Sequence, residues 1–354
     1  MKRKMYIIPI FIPHWGCPFK CVFCNQNLIT GQKKDVTVEE VIETIESHLK
    51  TIPEGSEVEV SFFGGSFTGI PIEKQNLYLS IAREYLKRGK IQGIRLSTRP
   101  DYITEEILEN LKKHDVSVIE LGVQSMEDDV LEKSRRGHTS EDVVNAVNLI
   151  RRYDFKLGLQ LMIGLPGDTE EKSLNTAHKI ASLKPDFVRI YPTLVIRNTY
   201  LEKMYKEGKY TPLSLEQAIN ISKKMYIIFV KAGIGVIRIG LQTTDNINFN
   251  KDVVAGPFHP AMGQLVESSI MLDVLKEVIE KEGIKGKKIS IFCNERKLST
   301  VIGQKKYNKK FLEDKYGVQV QVKLLEKIEE DKIVLSYDKK LYPISITDFI
   351  KDNF

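Results

Sequence analysis

The sequence predicts an α/β chain: a partial (β/α)6 barrel followed by a small, basic αβ unit. Three observations carry this expectation. Apolar strand-length runs alternate with amphipathic helix-length stretches six times, the pattern of a parallel sheet. Those six units occupy roughly 190 residues, short of the ~250 that a closed eightfold barrel takes. A glycine- and lysine-rich break, Gly-Ile-Lys-Gly-Lys-Lys at Gly283 to Lys288, then precedes a stretch with its own order of strands and helices.

Met5 to Pro13 is apolar throughout and reads as a buried strand that delivers the loop after it. Val36 to Thr51 has helical spacing in Val38, Val41, Ile42, Ile45 and Leu49, with Thr37 as its cap. Val58 to Phe63 is a strand broken by Gly64-Gly65-Ser66, and a helix follows at about 72–88. Ile94 to Ser97 is a short strand, Thr104 to Lys113 a helix, and Val118 to Val123 a strand with helical stretches behind it at about 127–135 and 140–152. Lys156 to Leu165 is a strand closed by Pro166-Gly167, with a helix at about 169–183, and Phe187 to Tyr191 is the sixth strand. Beyond it come helices at about 199–207 and 214–232, a possible strand at Val236 to Ile239, a loop at Gly256 to Pro260 and a long helix at about 261–281. The end reads as strand 289–293, helix from about 296, turn, helix 307–315, strand 318–325 and strand 332–337.

The composition of the 354 residues, 42% hydrophobic and 28% charged, is that of an ordinary globular chain. No apolar run reaches the ~20 residues that span a bilayer, so no membrane role is expected. The basic start leads into a run holding Pro9 and Pro13 and no small-residue cleavage site, which argues against a signal peptide. Free cysteines without an export signal point to a reducing cytoplasm. From Lys285 to Phe354 there are 16 basic and 10 acidic residues, so the whole net charge of +6 sits in the tail. Such asymmetry points to an anionic partner or to a solvated basic surface.

Three of the four cysteines, Cys17, Cys21 and Cys24, lie in the stretch Gly-Cys-Pro-Phe-Lys-Cys-Val-Phe-Cys, spaced C-x₃-C-x₂-C. Three thiolates on a short loop hold one cuboidal iron–sulfur cluster and leave its fourth iron open. A structural zinc site wants four protein ligands, usually two C-x₂-C pairs, and half of such a set is present. Three cysteines this close cannot all pair with one another. The fourth, Cys293, sits among Ile289, Ile291 and Phe292 and reads as a small buried hydrophobe.

C-x₃-C-x-Φ-C, with aromatic Phe23 before the last cysteine, resembles the signature of the radical S-adenosylmethionine (SAM) superfamily. The resemblance implies a TIM-like partial barrel and a [4Fe-4S] cluster on Cys17, Cys21 and Cys24. It also implies SAM chelated at the open iron by its amino and carboxylate groups. Reductive cleavage to methionine and a 5′-deoxyadenosyl radical would follow, fed by an electron donor such as ferredoxin or flavodoxin. The cofactors carry that chemistry, and the protein supplies position and water exclusion.

In parallel α/β sheets functional residues collect where strands end. Gly64-Gly65-Ser66 follows the second strand. Paired glycines let a ligand approach the backbone closely, and by resemblance the site binds the SAM amino group, with Ser66 replacing the family's acid. Ser97, before Thr98-Arg99-Pro100-Asp101, stands where relatives usually carry a glutamate; Arg99 and Asp101 can hold each other as a structural pair. Glu120 lies in an apolar strand, where an unpaired carboxylate is costly, so it needs a partner or a ligand. Gln124 offers two donors and an acceptor. Arg136 resembles the arginine that coproporphyrinogen-oxidase-like relatives aim at the SAM carboxylate, an assignment its neighbour Arg135 leaves open by one residue. Gln160 by resemblance occupies the ribose position, and Gly164, Tyr191 and Phe23 would line the adenine. Core packing is the alternative for each aromatic residue. His14 and His259 read as loop residues.

In the tail, Val301-Ile302-Gly303 before a basic turn, inside a β-α-turn-α-β order, resembles a KH RNA-binding domain. In such domains a G-x-x-G loop clamps the nucleic-acid backbone. Here Lys306 replaces the second glycine. Gly303, Lys305, Lys306, Lys309 and Lys310 are the candidate RNA contacts, and the alternative is a small capping domain with a charged face.

The segments "GCPFKCVFCNQ", "FFGGSFTGI", "STRPDYI", "ELGVQS", "LMIGLPGD", "VRIYPT" and "GPFHPAMGQLVES" together resemble the radical SAM core of the Elongator catalytic subunit branch. Those relatives modify wobble uridine in tRNA with an acetyltransferase domain, for which the tail here is too short. The implied organisation is a barrel over 1–200, a mostly helical extension over 201–284 and a basic KH-like domain over 285–354. The implied function is radical SAM chemistry on tRNA or rRNA. A small-molecule or protein substrate, and a non-catalytic RNA-binding iron–sulfur protein, are the alternatives.

Overall fold

The computed structural model describes residues 5–12, 21–25, 36–241, 251–286 and 288–354. β1 (Met5–Ile12), β2 (Glu57–Gly64), β3 (Gly93–Thr98), β4 (Val118–Gln124), β5 (Lys156–Ile163) and β6 (Phe187–Pro192) lie side by side in chain order, all parallel. β7 (Val195–Ile196) leaves the sheet. β8 (Gly235–Ile239), the strand read as possible from sequence, then adds a seventh parallel strand beside β6. The sheet therefore runs past residue 200, into the stretch expected as a mostly helical extension. β7 pairs antiparallel with β9 (Val253–Ala255), a two-stranded ribbon that no periodicity announced because each arm is too short to show one.

The central strands read as unbroken apolar runs because both faces are covered. Helices Val38–Thr51, Ile72–Lys87, Glu105–Lys113, Ser140–Ile150 and Glu170–Ser182 lie close to their expected limits. Thr37, Thr104, Thr139 and Thr169 each accept a bond from the backbone N–H of the first turn, which fills one of the four orphan donors there. In this way a hydroxyl ends each of those strand-to-helix loops and fixes where its helix starts.

The tail packs on helix Met262–Lys281, whose Val274, Leu275, Val278 and Ile279 share one core with Ile289, Ile291, Ile333 and Leu335. Its sheet holds β10 (Lys288–Cys293), β11 (Gln319–Leu324), β12 (Lys332–Tyr337) and β13 (Lys340–Ser345) in the order β11-β10-β12-β13. β10 and β11 are parallel, the other pairs antiparallel. The helix expected from about 296 is a single turn plus Leu298–Ile302. β13 and the closing helix Ile346–Asn353 escaped the sequence reading. Pro343 sits inside β13, and proline is tolerated in a strand only at an edge, which is where β13 lies. Its hairpin turns on Asp338 and Lys339, both at positive φ, without the glycine that usually marks such turns.

The sheet also carries a buried ionic row. Glu120, fully buried, accepts from Arg95 Nη1 (2.8 Å), Arg189 Nε (2.7 Å) and Nη2 (3.0 Å), and Gln160 Nε2 (2.9 Å). Arg95 also donates to Glu59 (2.8 Å). Burial pushes the Glu120 carboxyl up, but the charge of Arg189 and the bonds from Arg189, Arg95 and Gln160 outweigh it and hold the group below the usual carboxylate range. Removing one partner of such a set strands a buried charge. Arg189→Met is expected to lower unfolding stability by about 3–5 kcal/mol, measured by urea denaturation, and Arg189→Lys to recover only part of that loss.

Candidate cofactor site

The C-terminal ends of β2, β3, β4 and β5 meet the segment Cys21 to Asn25 around one cavity. Cys17 and His14 lie outside the described residues. What holds the cysteine segment is Val22. Its side chain is buried with Val195, Leu201 and Tyr210. Its N–H donates to Ser134 O (3.1 Å), and its carbonyl accepts from Leu201 N (2.7 Å). Cys24 N closes a turn on Cys21 O (3.0 Å), and both cysteines and Phe23 line the cavity. A valine between cysteines carries no functional signal in sequence, so this anchor could be found only in the fold.

Gly64 and Gly65 form the wall after β2. Gly64 has φ +104°, and a Cβ there would sit 2.5 Å from Ile12 O. Gly65 N donates to that same carbonyl (3.1 Å). Only glycine lets the end of β2 lie so close to β1. Ser66 and Ser97 complete this side.

Arg136, 8% exposed, crosses the opposite wall. Nη2 donates to Gly122 O (2.6 Å) and Nη1 to Cys21 Sγ (3.6 Å). Nε is buried without a hydrogen-bond partner among the described residues. Arg99 grips the Arg136 carbonyl through Nη1 (2.7 Å) and forks onto Asp101 with two bonds of 2.9 Å, so Arg99 and Asp101 do hold each other. Arg135 turns away at φ +53° and stacks on the Tyr200 ring, 4.1 Å from its centroid. Of the two neighbouring arginines, Arg136 is therefore the one at the cavity.

A register shift between Gly122 and Gln124 lifts Gln124 to φ +71° and brings it to the cavity wall. A Cβ on Gly122 would meet Arg136 Nη2 at 2.8 Å and Gln124 Nε2 at 2.9 Å, so the missing side chain is the space these two occupy. Gln160 also lines the cavity. Its amide nitrogen is committed to Glu120, which as a carboxylate can only accept, and its carbonyl is left as the acceptor.

Three expected contacts stand elsewhere. Glu120 belongs to the ionic row and reaches the cavity only through Gln160. Gly164 has Leu213 where a Cβ would lie (2.8 Å), donates its N–H to Asp168 and accepts from the Tyr210 hydroxyl. Tyr191 packs beside Arg189, its phenol pushed up by burial. Glu120, expected to need a partner or a ligand, has its partners in the row, and beside Gly164, expected by resemblance to line the adenine with Tyr191, Leu213 fills the space. Cys293 is fully buried in β10, and burial pushes its thiol up.

In the tail, Gly303 (φ +78°) leads into Lys305 (φ +51°) and Lys306 (φ +65°), so the tight turn forms with lysines in left-handed conformation. Lys305, Lys306 and Lys310 are exposed, while Lys309 lies 3.8 Å from Glu313. His259 shapes its loop by accepting from Ala261 N (3.1 Å), and its Nε2 meets Gln304 Nε2 (2.9 Å) at the start of the lysine turn.

Residues 12–180 match the radical SAM superfamily and residues 185–271 the radical SAM C-terminal domain. A tRNA uridine(34) acetyltransferase of Methanocaldococcus jannaschii is 28% identical over 303 residues, covering 80% of this chain and 52% of its own length. Human Elongator complex protein 3 is 28% identical over 184 residues, 46% of this chain and 34% of that protein. The chain thus spans about half the length of the first of these relatives. In structure, the N-terminally truncated Elp3 of Methanocaldococcus infernus superposes over 98% of this chain and 76% of its own with a TM-score of 0.60 at 20% identity, a shared fold. No helix among the described residues is long and apolar enough to cross a membrane.

Behind Arg136, His138 is 5% exposed and bonded to Val123 O (3.2 Å). Burial first, then the charges of Arg136 and Arg99, push its pKa down to about 3. Below the free histidine pKa of ~6.5 the unfolded chain takes up a proton that the folded chain refuses, so stability falls with falling pH by up to ~1.4 kcal/mol per unit. His138→Asn is expected to flatten that acid limb between pH 6.5 and about 3, read from urea midpoints across the range.

Proposed function

We propose that this chain, which belongs to the radical SAM superfamily, is an enzyme that starts radical chemistry on RNA, with tRNA or rRNA as its substrate class. The superfamily uses a [4Fe-4S] cluster and SAM, and the residues present fit both. Cys21 and Cys24 share one cavity, and Cys17 from the same loop is the third ligand in this reading. When bound, the pair supplies one-electron reductive cleavage of SAM.

The remaining work falls to the chain's own side chains. Arg136 sets its positive charge against the Cys21 sulfur while Nε stays free to donate to a carboxylate. Gly64 and Gly65 offer close backbone approach to an ammonium. Gln160, held by Glu120, presents a fixed acceptor to a hydroxyl, and Gln124 faces the same space. Buried Ser66, Thr98, Arg99 and Arg136 wall part of the space and would limit water beside the reacting atoms. The one observation that carries the reading is this convergence: two cysteines, an arginine with an idle buried donor and two amides around a single cavity.

RNA as substrate is supported by two independent features. The relatives reported above include one named for tRNA uridine(34), and the net positive charge lies in the tail with its lysine turn. The reconstituted protein, reduced without oxygen in the presence of SAM, is expected to release 5′-deoxyadenosine, and failure to do so overturns the enzymatic reading. Arg136→Met is expected to weaken SAM binding by roughly tenfold or more, read by calorimetry, the scale of a lost charge-assisted bond. Changing Lys305 and Lys306 together to glutamate is expected to weaken tRNA retention on filters at low salt and to flatten its salt dependence.

A further inference from the structure

The buried ionic row leaves one charge over. Glu59 and Glu120 balance Arg95 and Arg189. Arg238 stands next to Arg189 in the β6–β8 register and has no hydrogen bond or ion pair among the described residues. β8 is the last strand of its sheet among the described residues.

Along β8 runs a cleft of about 660 Å³. Arg238 and the half-exposed Ile237 line one side, and Arg296 and Ser299 of the tail line the other. Among the described residues that line it the one carboxylate, Glu267, is bound to Lys297 (2.8 Å), and Arg296 is bound to Glu330. The free charge in the cleft is therefore positive. Ser299 belongs to the short helix that ends in Gly303 and the lysine turn, and the His259–Gln304 contact ties that turn to the loop before helix Met262–Lys281. The chain that lines the cleft at Ser299 and Thr300 thus runs on, within a few residues, into Lys305 and Lys306. Holding two lysines in left-handed conformation costs about 1–2 kcal/mol each, and the turn does so while leaving both ammonium groups in solvent.

We propose that this cleft is the track for an unpaired strand of RNA. The lysine turn holds backbone phosphates at the outer end, and Arg238 takes an anionic oxygen at the inner end. Strand β8 then points the occupant toward the rim that carries the cofactor cavity. The inference rests on the reading of RNA as substrate and locates where it lies. A space of small-ligand size admits one or two nucleotides at a time, not a duplex. Side chains also read unpaired bases far better than the deep groove of A-form RNA. The Ser299 hydroxyl and the Gln264 amide supply partners for base edges, and the half-exposed Ile237 supplies an apolar face. An extended peptide pairing with β8 is the competing occupant, and the surplus of cations argues against it.

Fluorescence anisotropy with a labelled 20-nucleotide single strand and with its duplex, over a series of salt concentrations, tests this. Wild type is expected to prefer the single strand. Arg238→Gln is expected to weaken it on the order of tenfold and to reduce the salt slope by about 0.7. Ser299 is exposed, so Ser299→Glu and Ser299→Lys keep the fold, checked by melting temperature, and are expected to weaken and strengthen binding respectively. If the Lys305 and Lys306 double variant loses binding while Arg238→Gln and both Ser299 variants bind as wild type, the track is overturned and the RNA reading stands. Equal affinity for the duplex also overturns the track. Absence of any salt-dependent RNA binding by wild type overturns both.

Discussion

Glu120 is the charge on which the barrel turns. Through it, Arg95 of β3, Gln160 of β5 and Arg189 of β6 are tied to β4, and through Arg95 the tie extends to Glu59 of β2. Five neighbouring strands are thereby cross-linked by charge as well as by their ladders. A buried ionic row is a costly way to fill a sheet face, since apolar residues of the same size are often as stable. What it provides is orientation. Every member has a fixed number of donors or acceptors, so Gln160 can point only one way, and that amide sits in the wall of the cavity.

The cavity is held by a second set of constraints, one shell further out. Arg99, clamped by Asp101, grips the backbone of Arg136, while Arg135 is drawn off onto Tyr200. Gln124, Gly64 and Arg135 all have positive φ, and all lie at or beside the cavity. Unfavourable backbone conformations persist where the surroundings overdetermine them, and they cluster where side chains must be aimed. The same holds for Lys305 and Lys306 in the tail. In both places the chain accepts local strain and places a cation or an amide against open space.

Much of this was legible in the residues. Six strands and their helices follow from runs of alternating period, and threonines three residues before a helical backbone N–H mark where helices begin. The cysteine spacing and the paired glycines stand out by their chemistry and Arg136 by its resemblance to a family arginine, and the fold brings Cys21, Cys24, Gly64, Gly65 and Arg136 to one cavity. Harder to see were elements whose signal is short or contradictory. β7 and β9 are two and three residues long, and β13 contains a proline that only an edge strand accommodates. Val22 was invisible as an anchor because burying an apolar residue is ordinary anywhere in a chain.

The sequence by itself determined the chemistry available: which thiols, amides and guanidinium groups exist, and in what order along parallel strands. Only the tertiary structure decided which of them face a common space. Glu120, Gly164 and Tyr191 lie on the same strands or strand ends as Gln124 and Gln160, yet Arg189 holds Glu120, Leu213 fills the space beside Gly164, and Tyr191 packs beside Arg189. Only the β6–β8 register sets Arg238 beside Arg189, as a cation with no ion pair among the described residues. The physical reason is the same in each case. Spacing along the chain sets what a residue can do, while pairing and packing across the chain, which no local pattern encodes, settle whether its polar atoms are already satisfied.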